Sequence, residues 1–175
     1  MDILQGWLPP LDPAHLILYA FVWLLVLAAI GDLRRMMIPN AIPLALAGLY
    51  LAHGLLNLTA LEMAQALAVA LLVFCANTLL FAFRLMGGGD VKFMAAVALW
   101  AGLDQALPFV LVTTLAGGIL ALAMLTLATS PFSVLLLDFV RVRGGRRHYV
   151  LPYGLAIAFG GLYVAQRLFL SLTVS

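Results

Sequence analysis

The sequence predicts an all-α protein, a polytopic transmembrane bundle of about six helices that forms one domain over residues 1–175. Of its residues, 66% are hydrophobic and only 9% are charged, and the mean hydropathy is +1.17. Soluble domains are about 45–50% apolar and about 25% charged, so a soluble globule is excluded. The one cysteine, Cys75, excludes a disulfide scaffold and a zinc site built from cysteines.

Six apolar stretches account for the predicted bundle. A helix that crosses about 30 Å of hydrocarbon needs roughly 20 apolar residues. The fourth stretch would be only about 20 Å long as a helix, and three glycines precede it, so we expect the chain to enter the membrane late there or a loop to dip into it. In chain order the predicted spans are Ala14–Ile30, Ala41–Leu58, Met63–Phe83, Val91–Leu103, Ala106–Ala128 and Val150–Leu170.

The basic residues predict the orientation. Eight of the nine lie in alternate connections, which the positive-inside rule assigns to the cytoplasm. Both termini are then expected outside. The net charge of +2 is too small to indicate a nucleic-acid partner. The eight residues are Arg34, Arg35, Arg84, Lys92, Arg141, Arg143, Arg146 and Arg147.

The long fifth connection, Thr129–Tyr149, contains apolar residues at helical spacing. They are typical of an amphipathic helix that lies on the cytoplasmic surface with its basic end near anionic headgroups. A solvated basic loop that only determines topology is the alternative.

Two acidic residues stand at the cytoplasmic ends of predicted spans. Asp32 ends the first and Asp90 opens the fourth, and two crossings lie between them, so both return to one side and depth. An unpaired acid at this depth is costly, which makes it a functional candidate. Two adjacent carboxyl groups could share a proton and divide the work of an aspartic protease dyad. Ion pairs with Arg34, Arg35 or Lys92 are the alternative.

The residues around the two acids favour the catalytic interpretation. Gly87, Gly88 and Gly89 precede Asp90 and leave room for the extended substrate that a protease requires. After Asp32, Ile38-Pro39-Asn40 stops one helix and starts the next, and Asn40 can turn or cap the chain.

These motifs resemble those of the type 4 prepilin peptidases, membrane aspartic proteases of the G-x-G-D class. Gly87-Gly88-Gly89-Asp90 matches G-x-G-D and is followed by Val91-Lys92, while Asp32 with Ile38-Pro39-Asn40 looks like the first aspartate block. Leu151-Pro152-Tyr153-Gly154 is similar to a further segment that is common in that family.

The resemblance implies an endopeptidase of the bacterial cytoplasmic (inner) membrane that cuts the cytoplasmic leader from prepilins, with Asp32 and Asp90 catalytic. We expect Gly87–Gly89, Lys92, Pro39 and Asn40 to contact the substrate, and membrane lipid to be the other partner. No cofactor or metal is expected. The chain lacks the cysteine-containing insert of long members, which argues against N-methyltransferase activity and makes it similar to the short enzymes of tight-adherence (Flp-type) pilus systems.

Some roles have alternatives at this point. Lys92 either keeps one carboxylate charged or extends to the headgroups. Tyr153 either hydrogen-bonds near the dyad or anchors the helix at the interface. A proton-coupled transporter or a non-catalytic membrane scaffold would also accommodate acidic residues in its helices.

Overall fold

The computed structural model describes residues 12–128 and 152–174, and every regular element in these ranges is a helix. The predicted surface helix in Thr129–Tyr149 lies outside the described residues. The five helices are α1 (Pro13–Arg35), α2 (Ala41–Asn57), α3 (Ala60–Ala82), α4 (Gly88–Ala128) and α5 (Tyr153–Val174).

Four of the helices are long and apolar enough to cross a membrane, and α2 is a shorter apolar helix of 17 residues. Large apolar side chains cover the outside of the bundle, for example Leu44, Leu55 and Phe83, which are 74–79% exposed. In water such a surface would be unstable, whereas lipid chains solvate it without cost. The chain is therefore a membrane protein.

The long helix α4 reverses its direction at Gly102. This glycine has φ +58° and ψ −163°, a conformation that other residues rarely adopt. Val97 and Phe109 lie on either side of it, yet they pack against the neighbouring Gly161 and Gly160 of α5. A straight helix would separate Val97 and Phe109 by about 18 Å. The two halves of α4 therefore fold back on each other.

Residues 12–128 and 152–174 form five helical elements where about six were expected. The predicted spans Val91–Leu103 and Ala106–Ala128 belong to α4, because the reversal takes place at one glycine and the residues expected to connect the spans are helical. The count of six separate helices is thus not confirmed.

Trp100 joins three helices in the core. Its ring stacks on Phe21 of α1 with the centroids 4.3 Å apart, and Tyr50 of α2 meets it edge-on at 5.7 Å. Its indole N–H donates to the main-chain oxygen of Leu46, at 3.0 Å. A buried Trp needs such a partner for its N–H group. This contact fixes the first half of α4 against α1 and α2.

Candidate active site

Asp32 and Asp90 lie at the same end of the bundle. Asp32 is in the last turn of α1 and is 4% exposed, and Asp90 is in the first turn of α4 and is half-buried. The two carboxyl groups are near enough for the charge of Asp32 to act on Asp90. Two acids from distant parts of the chain thus meet in one partly dehydrated site.

Asp32 is held by the beginning of α5. The backbone N–H of Gly154 donates a hydrogen bond of 2.7 Å to Oδ2 of Asp32. The first N–H groups of a helix have no partner within the helix and carry partial positive charge, so they bind a carboxylate well. Among the described residues, the backbone amides of Gly154 and Leu155, rather than Arg34 or Arg35, are the partners of the Asp32 side chain.

Ile38, in the connection between α1 and α2, lies between the beginnings of α4 and α5. A Cβ on Gly154 would stand 2.8 Å from Cδ1 of Ile38 and 2.7 Å from Oδ2 of Asp32. On its other side, a Cβ on Gly89 would stand 3.3 Å from the main-chain oxygen of Ile38. Glycine at both positions therefore allows α4 and α5 to approach the α1–α2 connection closely.

The other two glycines before Asp90 have different surroundings. The Oδ2 atom of Asp90 lies over Gly87, 2.9 Å from where a Cβ would stand. Gly88 faces Cε2 of Phe81 on α3, at 3.4 Å from the same ideal position. Gly87 therefore contacts Asp90, and Gly89 contacts the connection between α1 and α2. Gly88 packs on α3 instead.

Lys92 and Asn40 contact each other. Nζ of Lys92 donates to Oδ1 of Asn40 at 3.0 Å, on an exposed surface. Asn40 therefore turns the chain but does not cap α2 with its side chain, as the sequence also allowed. Pro39 supplies the main-chain oxygen that accepts from the N–H of Ile42, at 3.1 Å. These residues connect the beginnings of α2 and α4 beside the acids.

Sequence reasoning missed two residues of this site, Gly154 and Ile38. The sequence presents Gly154 only as part of Leu151-Pro152-Tyr153-Gly154, a segment in which it suggests a role for Tyr153. In the structure the ring of Tyr153 packs near Gly117. Pro152, near the beginning of the predicted span Val150–Leu170, was an available signal for free N–H groups at this point. No local pattern identifies Ile38, because its role depends on contacts with two distant glycines.

The described fold and site define a polytopic membrane protein with two acidic side chains at one end of its bundle. The chain belongs to the Type IV leader peptidase family, whose family model matches residues 19–122, more than half of the sequence. Both aspartates lie inside this range and Gly154 lies beyond it. Membership indicates a protease whose substrates are prepilins. Searches of the curated proteins and of the solved structures gave no significant match.

Proposed function

We propose that the protein is a membrane aspartic endopeptidase that removes the leader peptide from prepilins, with Asp32 and Asp90 as its catalytic pair. The observation that carries this proposal is the convergence of the two carboxyl groups beside Ile38. Family membership supports the peptidase class and its substrates. No cofactor enters the proposed reaction.

The chemistry follows from two carboxyl groups in a poorly hydrated site. Two neighbouring negative charges are costly there, so Asp32 and Asp90 share one proton. The ionised carboxylate removes a proton from water, which attacks the scissile carbonyl carbon, while the protonated one transfers its proton to the carbonyl oxygen and gives a tetrahedral diol. The C–N bond of the diol then breaks as the first carboxyl group passes its proton to the leaving nitrogen, and the second carboxylate takes back a proton from one hydroxyl.

The substrate would reach the acids over the glycines. The scissile bond of a prepilin lies just before its hydrophobic helix, so this stretch has to be extended to expose its carbonyl group. Gly87, Gly88 and Gly89 bear no side chains that would block such a strand. Lys92, Pro39 and Asn40 border the same end of the bundle and would contact the leader. Because the leader and Lys92 are both basic, we propose that Lys92, Pro39 and Asn40 contact the backbone of the leader.

We further propose six membrane crossings, with α4 forming two of them. In its second half, Gly117 packs against Ala156 and Phe109 against Gly160, so this half runs antiparallel to α5. The complete α4 would be about 60 Å long if it were straight, twice the thickness of the hydrocarbon core. With the basic connections inside, both termini face outward and the acids face the cytoplasm of a cytoplasmic (inner) membrane.

Co-expression with an Flp-type prepilin tests the proposal. Asp32→Asn and Asp90→Asn should each abolish the leader-sized shift of the pilin on a gel, because an amide can neither accept nor share the proton. Asp12→Asn is the matched control, since Asp12 is exposed at the beginning of α1, at the opposite end. Normal cleavage by either site variant, at wild-type membrane levels, would refute the catalytic pair. A proton-coupled transporter or a membrane scaffold would then be the remaining functions.

The same experiment tests whether the protein also methylates the new N-terminus of the pilin. We propose cleavage without N-methylation, as the resemblance to the short enzymes of tight-adherence pilus systems implies. Mass spectrometry of the mature pilin should find an unmodified N-terminus. A methylated N-terminus that depends on this protein would contradict this part of the proposal.

A further inference from the structure

A cavity lined by both polar and apolar residues lies at the other end of the bundle from the acids. It has a volume of about 150 Å³ and is bounded by the end of α2, the beginning of α3 and the reversal of α4 at Gly102. Trp100 lines it and follows Asp90 by ten residues of helix, which amounts to about 15 Å. The cavity is therefore separate from the proposed catalytic site.

Two buried oxygen atoms of the cavity residues have no hydrogen-bond partner. These are the hydroxyl of Tyr50, a residue that is only 4% exposed, and Oε1 of Gln105. A buried polar atom without a partner costs roughly 1–3 kcal/mol, so such atoms indicate a missing ligand or solvent. The amide oxygen of Gln105 can only accept a hydrogen bond, which requires a donor in the cavity.

The charge of the cavity is negative. Glu62 and Asp104 line it, and Oε2 of Glu62 also accepts from the backbone N–H and the hydroxyl of Thr59. Neither lysine nor arginine is found among the described residues that line it. The Nδ1 atom of His53 lies 3.3 Å from the amide nitrogen of Asn57. A cation would therefore meet attraction from every charged group of the wall.

Aromatic rings form the remaining wall. The rings of His53 and Trp100 stack with their centroids 5.5 Å apart, and Tyr50 stands edge-on to Trp100. Phe21 and His53 both stack on the ring of Trp100, so this wall offers an organic cation apolar contact with its carbon atoms. Within the described residues, no three His, Cys, Asp or Glu side chains come together as a metal-ligand set. The wall thus favours a cation that bears N–H donors and carbon over a metal ion.

We propose that this cavity, formed around Tyr50, Trp100, Asp104 and Gln105, binds a primary ammonium group. The ammonium donates to Gln105 Oε1 and the Tyr50 hydroxyl and is balanced by the carboxylates. The ends of the helices lie where lipid headgroups lie, so two sources share this chemistry, the ethanolamine headgroup of a phospholipid and a free small amine. The site is independent of the proposed peptidase reaction.

Fluorescence of Trp100 in the full-length protein tests the proposal. The sequence has Trp7, Trp23 and Trp100, so the double variant Trp7→Phe/Trp23→Phe leaves Trp100 as the reporter. The protein is placed in phosphatidylcholine nanodiscs and titrated with ethanolamine, or moved to nanodiscs that contain phosphatidylethanolamine. A saturable change with free ethanolamine identifies a free-amine site. A change with phosphatidylethanolamine alone identifies a headgroup site.

Further substitutions in the same double variant show whether the fluorescence change arises from binding in the cavity. Asp104→Asn and Tyr50→Phe should each weaken the response about tenfold, as expected for the loss of a charge-assisted hydrogen bond. Asp12→Asn, an acidic residue at the same end but outside the cavity, should leave it unchanged. The proposal is overturned if neither amine source changes the fluorescence of Trp100. It is equally overturned if choline changes this fluorescence as strongly as ethanolamine does, or if both cavity variants respond like the wild type.

Discussion

The backbone N–H of Gly154 donates to the side chain of Asp32 across 122 positions of sequence, at 2.7 Å. This bond connects the end of α1 with the beginning of α5. It orients one carboxyl group of the proposed pair without a second charged residue. The same approach brings Gly154 against Ile38, so the geometry of the carboxyl group and the packing of the connection are linked.

Gly154→Ala should reduce cleavage of the prepilin strongly. The new Cβ would stand 2.7 Å from Oδ2 of Asp32 and 2.8 Å from Ile38, so the carboxyl group has to move. Overpacking of this kind costs about 1–3 kcal/mol, and cleavage should fall about tenfold or more. Gly118→Ala is the control, because nothing lies within 4 Å of its added Cβ. Equal activity of the two variants would show that the approach of Gly154 is unimportant.

Gly89→Ala should also impair cleavage, through the connection between α1 and α2. Its Cβ would meet main-chain atoms of Ile38 at 3.3 and 3.6 Å, and a backbone cannot rotate away as a side chain can. The matched substitution is Gly48→Ala, which enters open space inside α2 and gains helix propensity of about 1 kcal/mol. We expect a lower cleavage rate only for Gly89→Ala, measured at equal membrane abundance. A loss of rate in both would indicate a general effect on folding.

Lys92 and Asn40 should act as a pair. Lys92→Met and Asn40→Ala each remove the 3.0 Å hydrogen bond, so the double variant should cleave no worse than the poorer single variant. Each effect should be small, about 1 kcal/mol or less, because the bond is exposed. The measurement is a double-mutant cycle on initial cleavage rates. Additive losses would instead support independent contacts of the two side chains with the leader.

Gly102→Ala should destabilise the bundle although its Cβ would meet nothing within 4 Å. The cost arises from the backbone, since a residue with a side chain is strained by about 1–3 kcal/mol at this conformation. Thermal unfolding in detergent should show a midpoint lowered by about 2–4 °C for each kcal/mol. Gly118→Ala again serves as the control. An unchanged midpoint for Gly102→Ala would contradict the reversal of α4 at this residue.

Hydropathy predicted much of the fold because long apolar helices have few alternatives in a membrane. Counting crossings also predicted that Asp32 and Asp90 return to one end, where their charges do interact. Their catalytic roles stay predictions. The reversal of α4 was expected as a connection between two helices, since a hydropathy pattern averages over many residues and cannot resolve a turn made at Gly102 alone.

The contacts that complete the site were harder to predict. The partners of Asp32 are main-chain amides, which every residue except proline possesses, so the residue type carries no signal. Asn40 is a preferred capping residue, but Lys92 competes for its side-chain oxygen from 52 positions away. Such pairings depend on how the helices approach one another, and local spacing does not contain that information.

The position of Ile38 between two glycines has a consequence for biosynthesis. The last of the segments that enclose it begins at Pro152. The amide that holds Asp32 is therefore translated 122 positions after Asp32 itself. A nascent polypeptide that has not reached Gly154 lacks that amide, so we expect the proposed protease to be inert until α5 has been inserted.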